Sequence, residues 1–287
     1  MGKVTALNAF VHIPKTAGTT VNRYLLQDGG PGQDHVEVWR GRPGHVRKQL
    51  ERLDWVSGHM NFLKMRALLC EGTARPIRFF SAVRDPLKQI ASHYNWLIEI
   101  HDRGAEFYET HPPHIKEISE RIRATDNKSA AAVIKELEAA PGLFLNQQAR
   151  TVFGDTFQSV NPEELEARFS VFDFVASEAT LPRLIEILTG RQVGVIRTEN
   201  KSQYHFDFAV FQSEEMQSFL QERHAADFAI YDFVKRKETQ GQTFETSAAR
   251  LGRPLGRSVG QTFDWKASLA AKSSRLLKKL GHRSWSV

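Results

Sequence analysis

At 287 residues, with 41% hydrophobic and 25% charged side chains, the chain has the composition of a globular protein that can bury a full α/β core, and that excludes a disordered or fibrous class. A formal net charge of +6 points to anionic ligands without choosing among a phosphorylated cofactor, an acidic glycan and nucleic acid. The single cysteine, Cys70, excludes an internal disulfide framework and a cysteine metal cluster, and the lack of any long apolar run predicts neither a signal peptide nor a spanning anchor.

Ala9 to Ile13 is a short apolar run rich in strand formers, and Pro14 ends it. Lys15, Thr16, Ala17, Gly18, Thr19 and Thr20 follow, and Val21 to Gln27 is helical in character. A strand, a tight loop of small residues and a helix start make an anion cradle. Loop N–H groups turn inward, the helix dipole adds roughly half a positive charge and the lysine adds a full one. An ordinary strand–helix turn would account for a lone Gly-Thr pair, whereas lysine, glycine and consecutive threonines together predict phosphate binding. The nucleotide-triphosphate loop G-x-x-x-x-G-K-[ST] is not matched, because Lys15 precedes Gly18.

Asp28-Gly29-Gly30-Pro31-Gly32 closes the first helix with strong breakers. Val36-Glu37-Val38-Trp39 reads as a short strand, a loop runs from Arg40 to Gly44, and His45 to Arg52 reads as helix. Trp55 to Phe62 suggests a strand ending at Gly58-His59. Functional groups of parallel α/β sheets gather at the carboxyl ends of strands, which makes His59 a candidate base; imidazole is suited to take a proton near neutral pH. A histidine satisfied by backbone hydrogen bonds is the plainer alternative. His12, on the first strand, reads as structural or cofactor-lining. Ile77 to Val83 is a buried-strand pattern, Arg84-Asp85-Pro86 breaks it, and Leu87 to Leu97 has helical periodicity. Ser92 stands eight residues after Arg84, about two turns into that helix, and His93 beside it reads as helix surface. R-D-P alone also fits an arginine–aspartate lock.

From His101 to Pro141 the chain is polar and helical, with a loop at His111-Pro112-Pro113-His114 whose histidines are too isolated to predict a metal. Ile115–Arg123 and Ala130–Ala139 read as helices, the second with Ser129 near its start. Asn161 caps a further helix, with Pro162 in its first turn. Val171 to Ala176 reads as a strand, Leu181 to Thr189 as an amphipathic helix ended by Gly190, and Val193 to Ile196 as a final strand. Helices over Ser213–Gln221 and His224–Lys237 close the domain. Residues 238–263 have the Gly, Ser, Thr and Gln content of a loose linker. Residues 264–287 recover helical spacing, with Trp265, Leu269, Leu276, Leu277 and Leu280 along one side among lysines and arginines. Such a basic amphipathic helix packs on its own domain, makes an oligomer contact or lies on an anionic membrane, the first two being favoured.

The phrase F-V-H-I-P-K-T-A-G-T-T resembles the 5′-phosphosulfate loop of sulfotransferases that use 3′-phosphoadenosine 5′-phosphosulfate (PAPS), and is especially similar to the branch containing heparan sulfate 2-O- and 6-O-sulfotransferases. R-D-P-(x)5-S, at Arg84 and Ser92, is similar to the segment with which that family binds the cofactor's 3′-phosphate through a charge-assisted arginine bond and a serine hydroxyl. The likeness covers roughly residues 7–235, and these two motifs are its specific part. Through it S-G-H-M-N-F matches the family's G-H segment, implying His59 as the base and Asn61 as a substrate contact, although the second histidine of the 2-O branch is Ser57 here. Carboxylates serve in other sulfotransferases, which leaves Glu99 or Asp102 as substitute bases. Asn146 and Arg150 match an N-x-x-x-R segment and Lys201 and Ser202 an N-K-[ST] segment, implying contacts to acceptor or cofactor. The stretch ending at Glu178, and Asp227 to Tyr231, resemble further segments of the family.

The resemblance implies an α/β, P-loop-like three-layer fold over residues 1–237, a central parallel sheet flanked by helices, with a helical acceptor-side insertion at about 101–145. It implies a PAPS-dependent O-sulfotransferase that moves the sulfuryl group to a hydroxyl, by branch a saccharide hydroxyl, through in-line displacement. Lys15, Thr16, Ala17, Gly18, Thr19 and Thr20 would hold the 5′-phosphate and sulfuryl oxygens, Arg84 and Ser92 the 3′-phosphate, and Lys15 would also stabilise the leaving group. Neither a metal nor nucleic acid is expected as partner, and a cytoplasmic bacterial enzyme is the simplest placement, since animal relatives carry a membrane anchor. Two rivals stand. A nucleotide-dependent kinase would show G-K-[ST] and a magnesium-holding aspartate, and a noncatalytic binder of anionic glycan or nucleic acid would explain the charge without needing two phosphate motifs.

Overall fold

A computed structural model describes residues 5–154, 161–194, 196 and 203–241. The strands are β1 (Leu7–Val11), β2 (Gly32–Gln33), β3 (Trp55–Gly58), β4 (Ile77–Ala82) and β5 (Phe174–Ala176). They form one all-parallel sheet in the order β2-β3-β1-β4-β5. The helices are α1 (Gly18–Asp28), α2 (Pro43–Leu50), α3 (Phe62–Gly72), α4 (Pro86–Asp102), α5 (Ala105–Glu109), α6 (Pro113–Ala124), α7 (Ala130–Ala139), α8 (Pro141–Phe144), α9 (Gln147–Phe153), α10 (Pro162–Phe169), α11 (Leu181–Thr189), α12 (Ala209–Gln212), α13 (Glu214–Arg223) and α14 (Ala225–Thr239).

β1 lies at the centre, where Ala9 pairs with Val56 of β3 on one side and Phe79 of β4 on the other. Leu7, Ala9 and Val11 face one core and Phe10 the other, so the strand reads as an unbroken apolar run because both of its faces are covered. α1 and α11 cover the Phe10 face with Val21, Leu25, Leu184 and Ile185. Val46, Met65, Val152, Phe169 and Phe233, from α2, α3, α9, α10 and α14, cover the opposite face. Helices on both sides of a parallel sheet make the α/β arrangement that the sequence predicted. A third cluster joins α4, α6, α7 and α13 through Tyr94, Ile122, Leu137 and Leu220, so the polar stretch after the fourth strand is helical and carries a core of its own. Side chains of this size stabilise the fold by about 1.5–3 kcal/mol each when fully buried.

The expected caps form: Ser129 Oγ accepts from the Ala132 N–H at 3.3 Å and Asn161 Oδ1 from the Glu164 N–H at 2.8 Å. Two strand expectations fail. Val36–Trp39 is a 3₁₀ turn, with Val36 and Trp39 buried three residues apart while Val38 is 61% exposed, a spacing that puts the valines on different faces. The edge strand is Gly32–Gln33 instead. Val193, Gly194 and Ile196 form no strand, and Val195 lies outside the described residues. α4 also runs past the predicted Leu97, to Asp102. The described residues fall in one compact unit. Most of the predicted linker, and all of the segment 264–287 predicted as a basic helix, lie outside the described residues. Among the described residues no helix is long and apolar enough to cross a membrane.

Candidate functional site

The chain lays β3 on one side of β1 and then returns to lay β4 on the other; open parallel sheets bind ligands beyond the strands' carboxyl ends at such a switch. There β1 delivers His12 and the loop up to Ala17, β3 delivers His59, β4 delivers Arg84 and β5 delivers Ser177.

The loop after β1 is held on three sides. Thr16 Oγ1 donates to Ile13 O at 2.9 Å, Gln89 Nε2 of α4 to Pro14 O at 3.0 Å, and Arg84 Nη1 to Lys15 O at 3.1 Å. Lys15 and Ala17 adopt left-handed φ values of 66° and 73°. That conformation costs a non-glycine residue on the order of 1–2 kcal/mol, and it persists because the surroundings impose it. α1 begins without a side-chain cap and without an acidic residue in its first turn, which leaves its first N–H groups for an anion. At Gly18 a Cβ would lie 1.8 Å from His12 Nε2, so only glycine lets the His12 ring pack against the helix start.

A cleft of about 250 Å³ opens over this loop. Lys15 through Thr20, Arg84, Ser92 and His12 all line it, and Val83, Leu181, Ile196, Ser177 and Glu178 form the rest of its wall. The two anion-binding patterns of the sequence therefore share one cleft. Arg84 is not locked on its neighbour, since Asp85 Oδ1 caps α4 by accepting from the Lys88 N–H at 2.9 Å. Instead the buried Gln148 grips the Arg84 backbone from both sides. Its Oε1 accepts from the Arg84 N–H and its Nε2 donates to the Arg84 carbonyl, each at 2.9 Å. Gln147 Oε1 accepts from Gln89 Nε2 at 2.5 Å and lies 3.1 Å from His93 Nδ1. α9, which carries both glutamines, is capped from α14, where Asp227 accepts from the Ala149 N–H at 2.8 Å and the Gln148 N–H at 3.3 Å. Burial pushes the Asp227 carboxyl up to about 7, and the same backbone bonds work against that rise.

His59 stands one ring behind the cleft. Its ring centroid is 4.0 Å from that of His12 and 5.3 Å from that of His35, and its backbone N–H donates to Glu37 Oε2 at 3.0 Å. Solvent reaches its outer edge, yet the protein packed around the rest of the ring desolvates it and lowers its pKa from the ordinary imidazole value. Glu37, Asp34 and a backbone hydrogen bond to His12 oppose this lowering, and His35 adds to it. Burial first, then His59, His35 and Lys15, hold His12 well below the usual imidazole range, and its Nδ1 is buried without a partner among the described residues. Among the described residues no histidine cluster is arranged to hold a metal ion.

The other candidates divide. Asn61 Oδ1 caps α3, accepting from the Lys64 N–H at 3.0 Å. Asn146 Nδ2 donates to Arg223 O at 3.3 Å, and Arg150 Nη1 donates to Pro141 O at 3.1 Å, so both brace the scaffold and neither lines the cleft. It is Gln147 and Gln148, between them, that reach the cleft's supports, and no motif marks them. Lys201 and Ser202 lie outside the described residues. His93 is not on the helix surface; it is buried against Trp96 and Phe144, and burial, then the Lys15 charge, lower its pKa to about 4. Glu99 accepts from Asn95 Nδ2 at 3.1 Å and Arg103 Nη2 at 3.0 Å, and Asp102 from Arg123 Nη1 at 2.7 Å, so both substitute bases are already engaged. Lys15 has its pKa lowered by burial, with Glu99 opposing and Arg103 and Arg84 adding to the shift.

No protein-family model matches the chain, and no curated protein matches it. Fold and site together define an α/β protein with a cleft, lined by Lys15 and Arg84, at the carboxyl edge of a parallel sheet.

Proposed function

We propose that the protein is a PAPS-dependent O-sulfotransferase with a P-loop-like fold, acting in the cytoplasm on a saccharide hydroxyl. One observation carries the reading: Lys15 to Thr20 and the Arg84–Ser92 pair line the same cleft, as groups holding the two ends of one bisphosphorylated adenosine would have to. The lining suits that ligand. Lys15 and Arg84 are cationic, Thr19, Thr20 and Ser92 carry hydroxyls, the start of α1 is uncapped, and Val83, Leu181 and Ile196 make an apolar wall for a purine.

When bound, PAPS would supply an activated sulfuryl group on a leaving group that carries its own phosphates. Lys15 and the loop N–H groups would stabilise charge at the 5′ end. Arg84 and Ser92 would hold the 3′-phosphate. His59 would take the acceptor hydroxyl's proton on the ring nitrogen that is not bonded to the His12 backbone.

Calorimetric titration with adenosine 3′,5′-bisphosphate tests the reading, followed by an acceptor screen with labelled PAPS. The wild type should bind the bisphosphate more tightly than magnesium ATP. Arg84→Ala should bind it about 10–100-fold more weakly, the scale of one charge-assisted hydrogen bond at ~1.5–3 kcal/mol. Preference for ATP would turn the assignment toward a kinase. Salt-dependent binding of nucleic acid without affinity for the bisphosphate would turn it toward a noncatalytic binder.

A further inference from the structure

Glu37 occupies a position that no motif marks. It lies in the 3₁₀ turn Val36–Trp39, which is anchored by the buried Val36 and Trp39. Its two carboxylate oxygens serve two histidines: Oε2 accepts from the His59 N–H at 3.0 Å, and Oε1 lies 2.9 Å from His35 Nδ1. Gly58 leaves room for this, since a Cβ there would come within 2.6 Å of Glu37 Oε2. His35 has a left-handed φ of 57°, one of four such non-glycine residues among those described, two of the others being Lys15 and Ala17 in the loop. Asp34 completes the arrangement, accepting from the His35 N–H at 2.7 Å and lying 3.6 Å from His35 Nε2. With the strained backbone held by Asp34 and the ring by Glu37, the His35 ring lies 5.3 Å from that of His59.

We propose that Glu37 is a positioning residue, whose single carboxylate locks His35 and His59 into one cluster and so presents the His59 ring to the acceptor hydroxyl. The proposal rests on the reading of His59 as the base. The charged and titratable groups that act on His59 are Asp34, His35 and Glu37, His12 from the end of β1 and His93 from α4; those that act on His35 are Asp34, Glu37, His59 and His12. Hydrogen bonding and charge from Glu37, with Asp34, raise the His35 pKa against the lowering effect of burial, while burial lowers that of His59, so the two imidazoles are split in opposite directions.

The split gives a test of opposite signs. Glu37 raises the His59 pKa and does so more strongly than His35 lowers it. Glu37→Gln should therefore move the NMR titration midpoints of both His35 and His59 to lower pH, whereas His35→Gln should move the His59 midpoint to higher pH. General loosening of the turn would shift His59 in the same direction in both variants. In kinetics with labelled PAPS, Glu37→Gln should lower kcat roughly tenfold, a fraction of what a general base contributes, and move the acid limb of kcat/KM to lower pH. Affinity for adenosine 3′,5′-bisphosphate should be unchanged, because Glu37 does not line the cleft. Unmoved midpoints in Glu37→Gln, or same-direction shifts in the two variants, overturn the proposal. If the wild type fails to bind the bisphosphate, the sulfotransferase reading falls, while the titrations still decide whether Glu37 holds the two rings.

Discussion

Lys15→Ala and His59→Ala are each expected to lower kcat by roughly 10²-fold or more, the scale on which electrostatic stabilisers and general bases contribute. The two should differ in what else they change. Lys15 lines the cleft, so its loss should also weaken adenosine 3′,5′-bisphosphate; His59 stands behind His12, so its loss should leave nucleotide affinity near that of the wild type. The base must be neutral to accept a proton, and kcat/KM should therefore rise with pH through the His59 pKa and then level off. Desolvation lowers that pKa from 6.5, so the rise should fall at lower pH than an ordinary imidazole would give. Near wild-type turnover in His59→Ala would remove His59 as the base.

Asp227→Ala should destabilise the protein by about 2 kcal/mol or more at pH 5, read from urea unfolding. It strips the Gln148 and Ala149 N–H groups of their acceptor in a buried site, at about 1–3 kcal/mol for each group left unpaired. Loosening α9 also loosens the Gln148 clamp on Arg84, so bisphosphate affinity should fall in parallel. The pH dependence has a definite sign. The folded-state carboxyl titrates near 7, against 3.8 for the free side chain, so between those values the native state holds a proton that the unfolded chain releases. That contribution is fully present below about pH 4 and is lost as pH rises through 7, a swing of about 4 kcal/mol. Asp227→Asn, which mimics the protonated form, should flatten wild-type stability over that window, and an unchanged pH profile would mean that Asp227 is ionised throughout.

Some of this was legible residue by residue. The strand–loop–helix read over Ala9 to Gln27 and the strand–break–helix read over Ile77 to Leu97 are written in consecutive residues, because apolar runs, a proline break and helical periodicity act over a few bonds. The same locality made Asn161 readable as a cap and placed Ser129 at a helix start. It misled at Val36–Trp39, where V-E-V-W alternates as a strand does while the buried pair is Val36 with Trp39. Burial of His93 was equally hidden, since it depends on Phe144 and Gln147, which α8 and the start of α9 bring in from more than fifty residues away.

What the amino-acid order determined by itself is two patterns, Lys15 to Thr20 and Arg84 to Ser92, each following a strand, in a chain able to form a parallel α/β core. What only the tertiary structure decided is that the patterns open onto one cleft, since that depends on β3 and β4 flanking β1. It also decided the supports: Gln148 on Arg84 across 64 positions, Asp227 on Ala149 across 78, and Glu37 on the His59 N–H across 22. Backbone sterics and side-chain periodicity are local and so appear in sequence. A buried amide or carboxylate acquires its role from whichever unpaired N–H group packing brings to it, and that partner is set by the whole core.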